Sequence, residues 1–150
     1  TKPEDLNKVK WQEWPAKVQA ELEELFKSCD QVFIAGLSMG GLQTLYAGVR
    51  NTETFAYLGV FSSGWWANQP ALSDPQYEFM KNNSDKINSN LKLFWISQGG
   101  KEDIAWKNCG IMRSKFDEMK IKYNYSEYPG GHTWPVWRNN LYNFAQILFK

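Results

Sequence analysis

The stretch Val32-Phe33-Ile34-Ala35-Gly36-Leu37-Ser38-Met39-Gly40-Gly41, followed by Leu42, Leu45, Tyr46 and Val49, decides how this chain is read. The apolar run at its start has the composition of a buried strand. Glycines then bracket a single serine, and apolar residues recur at helical spacing beyond it. The segment therefore predicts a strand, a sharp turn and a helix, with Ser38 at the apex of the turn. A serine projects its hydroxyl from such a turn only on a strained backbone. Flanking glycines, having no Cβ, let the helix begin close against the strand. The strand before and the helix after separate this G-x-S-x-G from a chance match to so short a pattern.

A serine hydroxyl is a poor nucleophile until a base takes its proton. The chain contains one histidine, His132, in Pro129-Gly130-Gly131-His132-Thr133. It follows a strand-like segment (residues 122–128) and precedes a helix-like one, which places it on a loop at the C-terminal end of a strand. In open α/β sheets that edge holds the site. An acid to orient the imidazole is expected from the loop after the preceding strand (residues 91–97), which reads Gly99-Gly100-Lys101-Glu102-Asp103. Adjacent loop side chains diverge, so only one of the two acids can reach His132. Asp103 is the first candidate and Glu102 the alternative, whereas Asp74, Asp85 and Asp117 fall on loop or helix surfaces away from the strand ends. The chain order Ser38, Asp103, His132 assigns the roles of nucleophile, imidazole orienter and general base.

The rest of the chain supplies a scaffold for these loops. Its 150 residues suit a single domain. Helices are predicted over residues 15–27, from the turn to about residue 50, over 105–120 with Cys109, Met112, Phe116 and Met119 as its apolar stripe, and at the C-terminus with Trp137, Leu141, Phe144 and Leu148. Strands are predicted over residues 31–35, 55–62, 91–97 and 122–128, and residues 68–90 read as irregular with one helix near 76–81. Helices alternating with strands give an α/β fold: about four parallel strands in consecutive order, flanked by helices. The net charge of +1 argues against nucleic acid or an anionic membrane surface as the main partner. There is no bilayer-length apolar run and no signal peptide at the start, although a mature secreted protein would lack one too. Two cysteines, Cys29 and Cys109, make no disulfide framework, and with a single histidine they make a structural zinc site unexpected. Aromatic residues are abundant at 16% of the chain. Trp65, Trp66 and Trp134 fall where loops would line a cleft and are candidate substrate-stacking residues, while Trp137 is expected in the core.

From about residue 41 to residue 150 the chain resembles the feruloyl and acetylxylan esterases, a carbohydrate-esterase branch of the α/β-hydrolases. The segments that carry the resemblance are Ala35 to Gly41, Phe55-Ala56-Tyr57, Phe61-Ser62-Ser63-Gly64, Leu93-Phe94-Trp95-Ile96, Lys101-Glu102-Asp103, and Gly130-Gly131-His132-Thr133-Trp134 with Trp137. The resemblance implies Ser38 as nucleophile, Asp103 as acid and His132 as base. It implies hydrolysis of ester groups that decorate plant polysaccharide, with no metal or cofactor and a secreted or periplasmic location. Its substrate partner would be a small ester or an ester-decorated polysaccharide. Two departures stand out. The acid loop carries an extra glycine (Gly99-Gly100). The family's fold also has strands before the serine-bearing one, with a loop that supplies an oxyanion-hole amide, and nothing in residues 1–30 reads as those strands. Residues 1–40 look more like monoacylglycerol-lipase-type carboxylesterases, so a partial fold is expected, either a fragment or a chimera joined near the turn. The amide of Met39 then remains as oxyanion donor. Weak hydrolysis is expected, with an inactive structural fragment as the alternative. The apolar residues 32–35 would lie on an unpaired sheet edge, which predicts a homo-oligomer joined there.

Overall fold

The computed structural model describes residues 14–65 and 70–150, with side chains described from residue 20 onward except at 70–73. Two compact units are distinguished, residues 1–32 and 33–150. The described part of the first holds helix α1 (Trp14–Leu25), whose C-terminal end carries an exposed Lys27–Glu24 ion pair at 2.5 Å.

The sheet is built from β1 (Val32–Leu37), β2 (Phe55–Phe61), β3 (Leu93–Gln98) and β4 (Asn124–Glu127), in the spatial order β1-β2-β3-β4. Strand β2 pairs parallel with β3, in a register that sets Tyr57 opposite Leu93 and Phe61 opposite Ser97; β3 pairs parallel with β4 from Trp95–Asn124 to Gln98–Glu127. The connecting helices are α2 (Met39–Arg50), α3 (Pro70–Asn82) with α4 (Ser84–Asn90), and α5 (Trp106–Glu118), and α6 (Trp134–Ala145) follows β4. Each strand sends alternate residues to opposite faces. Leu58, Val60, Phe94 and Ile96 join Leu42, Leu45 and Val49 of α2 and Met112 and Phe116 of α5 in one buried cluster, whereas Tyr57, Phe61 and Leu93 meet Phe144 of α6 on the other side. Burying both faces explains why β2 and β3 read as continuous apolar runs rather than as alternating ones.

Three elements depart from expectation. The span 68–90 is mostly helical: α3 and α4 occupy it, with Pro75 inside α3. The polar composition of α4 (SDKINSN) hides its one anchor, Ile87, which is fully buried. The last strand is shorter than the alternating segment, four residues rather than seven. The terminal helix buries Val136, Asn140 and Phe144 rather than the line through Trp137 and Leu141, and Leu141 faces solvent. Asn140 conceals that face because it is polar, yet its side-chain amide donates to the carbonyl of Gln98 at the end of β3, at 3.3 Å.

The strand-to-helix approach at the serine turn is close. A Cβ on Gly36 would lie 2.4 Å from the carbonyl oxygen of Gly40 and 2.5 Å from Thr44 Oγ1, while one on Gly40 would meet nothing within 4 Å. Gly36→Ala is therefore expected to lower stability by about 1–3 kcal/mol or more, through forced separation of β1 and α2. Gly40→Ala, in an open helical position, is expected to be neutral or to stabilise by about 0.4–1 kcal/mol. Urea unfolding midpoints of the two variants against the parent check the contrast.

Candidate active site

Ser38 links β1 to α2 and has φ 55° and ψ −124°, a left-handed conformation rare for a residue with a side chain. Its N–H donates to the carbonyl of Phe61 at 2.9 Å, which ties the turn to the end of β2. Parallel ties continue along the same sheet edge. The N–H of Ser62 donates to Ser97 at 2.7 Å, and the N–H of Gly100 donates to Gly130 at 2.7 Å. The loops after all four strands are thus stitched together at their C-terminal ends.

These ties bring three distant residues into one line. Ser38 Oγ lies 2.9 Å from His132 Nε2, and His132 Nδ1 lies 2.8 Å from Asp103 Oδ1. Asp103 is the acid in contact with the imidazole; Glu102, its neighbour, is exposed to solvent. The Asp103 residue is only 3% exposed. Its Oδ1 also accepts from the Ala105 N–H at 2.9 Å, and its Oδ2 accepts from Ser62 Oγ at 2.6 Å and the Gly99 N–H at 2.9 Å. Burial pushes the carboxyl up, but the donors Ser62, Ala105, Gly99 and His132 together outweigh it and hold Asp103 below the ordinary aspartate value. The glycine pair in this loop has a structural use. A Cβ on Gly99 would lie 2.3 Å from the Gly130 carbonyl, so the residue that donates to Asp103 must be small.

The imidazole is confined from its other side by Trp137, which packs edge-on against it at 4.9 Å between ring centroids with an interplanar angle of 89°. Trp137, expected in the core, is half-buried and serves this loop. Trp134 is 65% exposed and packs edge-on against Trp137 at 5.6 Å. A groove beside β1 is lined by Leu37, Phe61, Trp134, Trp137, Arg138 and Leu141. On the other side of Ser38, a pocket is lined by Met39, Ser62, Ser63, Gly64, Ile104, Ala105, Asn108 and His132. Trp65 does not line either one. It is 3% exposed and packs edge-on against Phe116 at 5.4 Å, so the expectation that it stacks on substrate is corrected: the chain turns inward after Gly64, where the Trp65 N–H donates to the Asn108 carbonyl. Trp66 lies outside the described residues. Met39 is the first residue of α2, and amides in a first helical turn have no partner within the helix. Ser62 is the residue that sequence reading missed as part of the site. It was visible only as part of Ser62-Ser63-Gly64 at a strand end, with nothing to mark its left-handed φ of 44°.

A serine on a strained strand-to-helix turn, at the C-terminal edge of four parallel strands flanked by helices, defines an α/β-hydrolase fold. The chain belongs to the putative esterase family, whose model matches residues 7–146. It is 28% identical over 139 residues to an endo-1,4-beta-xylanase/feruloyl esterase of Xylanibacter ruminicola, covering 86% of this chain and 17% of that protein. It is 25% identical over 113 residues to the iron(III) enterobactin esterase of Escherichia coli O6:H1, covering 75% of this chain and 28% of the relative. The chain thus spans less than a third of the length of these curated relatives. Among solved structures, a fluorophosphonate-binding serine hydrolase of Staphylococcus aureus superposes with a TM-score of 0.72 at 17% identity, covering 93% of this chain and 64% of that one.

The lowered Asp103 carboxyl links stability to pH. Its folded value lies below the unfolded one of about 3.9, so its contribution is present above that pH and is lost as pH falls through the folded value. Asp103→Asn is expected to be less stable than the parent at neutral pH, with the difference shrinking as pH falls below the unfolded value of about 3.9. Urea unfolding at pH 6 and at pH 3 measures it; a gap that does not shrink contradicts the assignment.

Proposed function

We propose that this chain is a serine-dependent carboxylic ester hydrolase. Ser38 is the nucleophile, His132 the general base and acid, and Asp103 the residue that orients the imidazole. The observation that carries this reading is the unbroken line from Ser38 Oγ through His132 to Asp103, with contacts of 2.9 and 2.8 Å. Ser38 Oγ attacks the ester carbonyl while His132 Nε2 takes its proton and then delivers it to the departing alcohol. A water deprotonated by the same nitrogen releases the acid from the acyl-serine. Asp103 holds Nδ1 as the donor toward itself and stabilises the imidazolium that forms in each half-reaction. The Met39 N–H, at the start of α2, supplies an oxyanion donor aided by the helix dipole.

The substrate class we infer is an aromatic or acetyl ester on a plant polysaccharide. Family membership and the relative described as an endo-1,4-beta-xylanase/feruloyl esterase support this. Trp134, exposed beside His132, offers a flat apolar face to a sugar or phenolic ring. We further propose that the chain self-associates through β1. It lies at the sheet edge with Phe33 42% exposed, and the apolar groove with Trp134 and Leu141 runs alongside.

Two experiments follow. A fluorophosphonate probe is expected to label Ser38, and methyl ferulate or p-nitrophenyl acetate to be hydrolysed; Ser38→Ala removes labelling and lowers kcat/KM by roughly 10⁴-fold or more. Equal rates in parent and variant reject the mechanism, and an unlabelled serine leaves an inactive scaffold as the reading. In sedimentation equilibrium at micromolar concentration, a dimer or larger species is expected, and a clean monomer rejects association through β1.

A further inference from the structure

Asp103 is held by two side chains, and only one of them belongs to the proposed reacting line. The other is Ser62, whose residue is 1% exposed and whose hydroxyl meets Oδ2 at 2.6 Å. An ionised carboxylate can only accept, so Ser62 donates. The length is that of a charge-assisted O–H···O⁻ bond. Backbone bonds fix the donor: the Ser62 N–H is tied to Ser97 at 2.7 Å, and φ is 44°. That φ costs a serine energy that glycine would not incur. The one thing serine provides there and glycine lacks is the hydroxyl.

We propose that Ser62 is a positioning residue, whose hydroxyl locks the Asp103 carboxylate so that Oδ1 faces His132 Nδ1. This rests on the reading of Ser38, His132 and Asp103 given above. Each carboxylate oxygen has a fixed share. Oδ1 serves the imidazole and the Ala105 N–H, and Oδ2 serves Ser62 and the Gly99 N–H. Gly99 and Ala105 lie on the same loop as Asp103, so they move with it. Ser62 comes from the end of β2 and anchors the carboxylate to the sheet. Without that anchor the carboxylate can rotate about its own side chain and loosen from Nδ1, although the loop keeps its shape.

The test uses Ser62→Gly, which removes the hydroxyl and relaxes the backbone, with Ser62→Ala as a second variant that keeps a Cβ. His132 is the only histidine of the chain, so the low-field Nδ1 proton in a proton NMR spectrum reports one imidazole without assignment. Expected for both variants are a folded protein, an upfield shift or loss of that resonance, and a kcat lowered about tenfold to a hundredfold with KM nearly unchanged. An unmoved resonance in the folded variants overturns the proposal. That includes the case in which kcat falls, since the hydroxyl would then act elsewhere. If the parent hydrolyses no ester and takes up no fluorophosphonate, yet its resonance responds to Ser62→Gly, the positioning role stands and the ester-hydrolase reading falls.

Discussion

The structure depends on how closely α2 starts against β1. At Gly36 the helix passes near enough that no side chain fits, and the carbonyl of Gly40 occupies the space a Cβ would need. The chain must reverse within one residue to achieve this, and Ser38 takes that reversal at φ 55°. A strained residue survives only where its surroundings over-determine it. Here they are the Phe61 carbonyl, which takes the Ser38 N–H, and the first turn of α2, in which the amides of Gly41 and Leu42 return to the Ser38 carbonyl at 3.0 and 3.4 Å. The backbone therefore fixes the direction of the Ser38 Cα–Cβ bond.

The same principle, position imposed by the sheet, governs the carboxylate. A buried acid would ordinarily take up a proton, and a neutral Asp103 would be a poor partner for an imidazolium. Hydrogen bonds decide against burial in this case because they converge on both oxygens from separate parts of the chain. Nearby Cys109 has no such donors, and burial pushes its thiol up to about 12.

Much of this arrangement was legible because it rests on local signals. The turn at Ser38 is written in glycines and flanking periodicity. His132 was identifiable because it stands alone after a strand. The order of strands follows from alternation. What was not legible depends on direction. Glu102 and Asp103 are adjacent in sequence, and only the turn after Gly100, where the Asp103 N–H returns to the Gly100 carbonyl at 2.9 Å, decides which points inward. Trp65 follows a strand end, as a cleft residue would, but close packing of Gly64 against the backbone of Asn108 turns it into the core. Ser62 has no sequence signature because a left-handed serine looks like any other. In the terminal helix Phe144 lies on the buried line as expected, but Asn140, a polar residue, takes the place on it expected for Leu141.

These misreadings share a cause that bears on the site. Several of the buried polar groups among the described residues lie at strand ends. Asn140 caps the last carbonyl of β3, Ser62 and Gly99 serve Asp103, and the Ser38 N–H takes the last carbonyl of β2. The C-terminal carbonyls of parallel strands need donors once the ladder stops, and buried ones left unpaired would cost stability. Supplying them pulls the following loops across the edge of the sheet, so the line from Ser38 to Asp103 is assembled by the same bonds that finish the strands. A substitution that frees one of those carbonyls should therefore disturb the line before it unfolds the sheet, because the loops carry the strain and the two apolar clusters hold the strands.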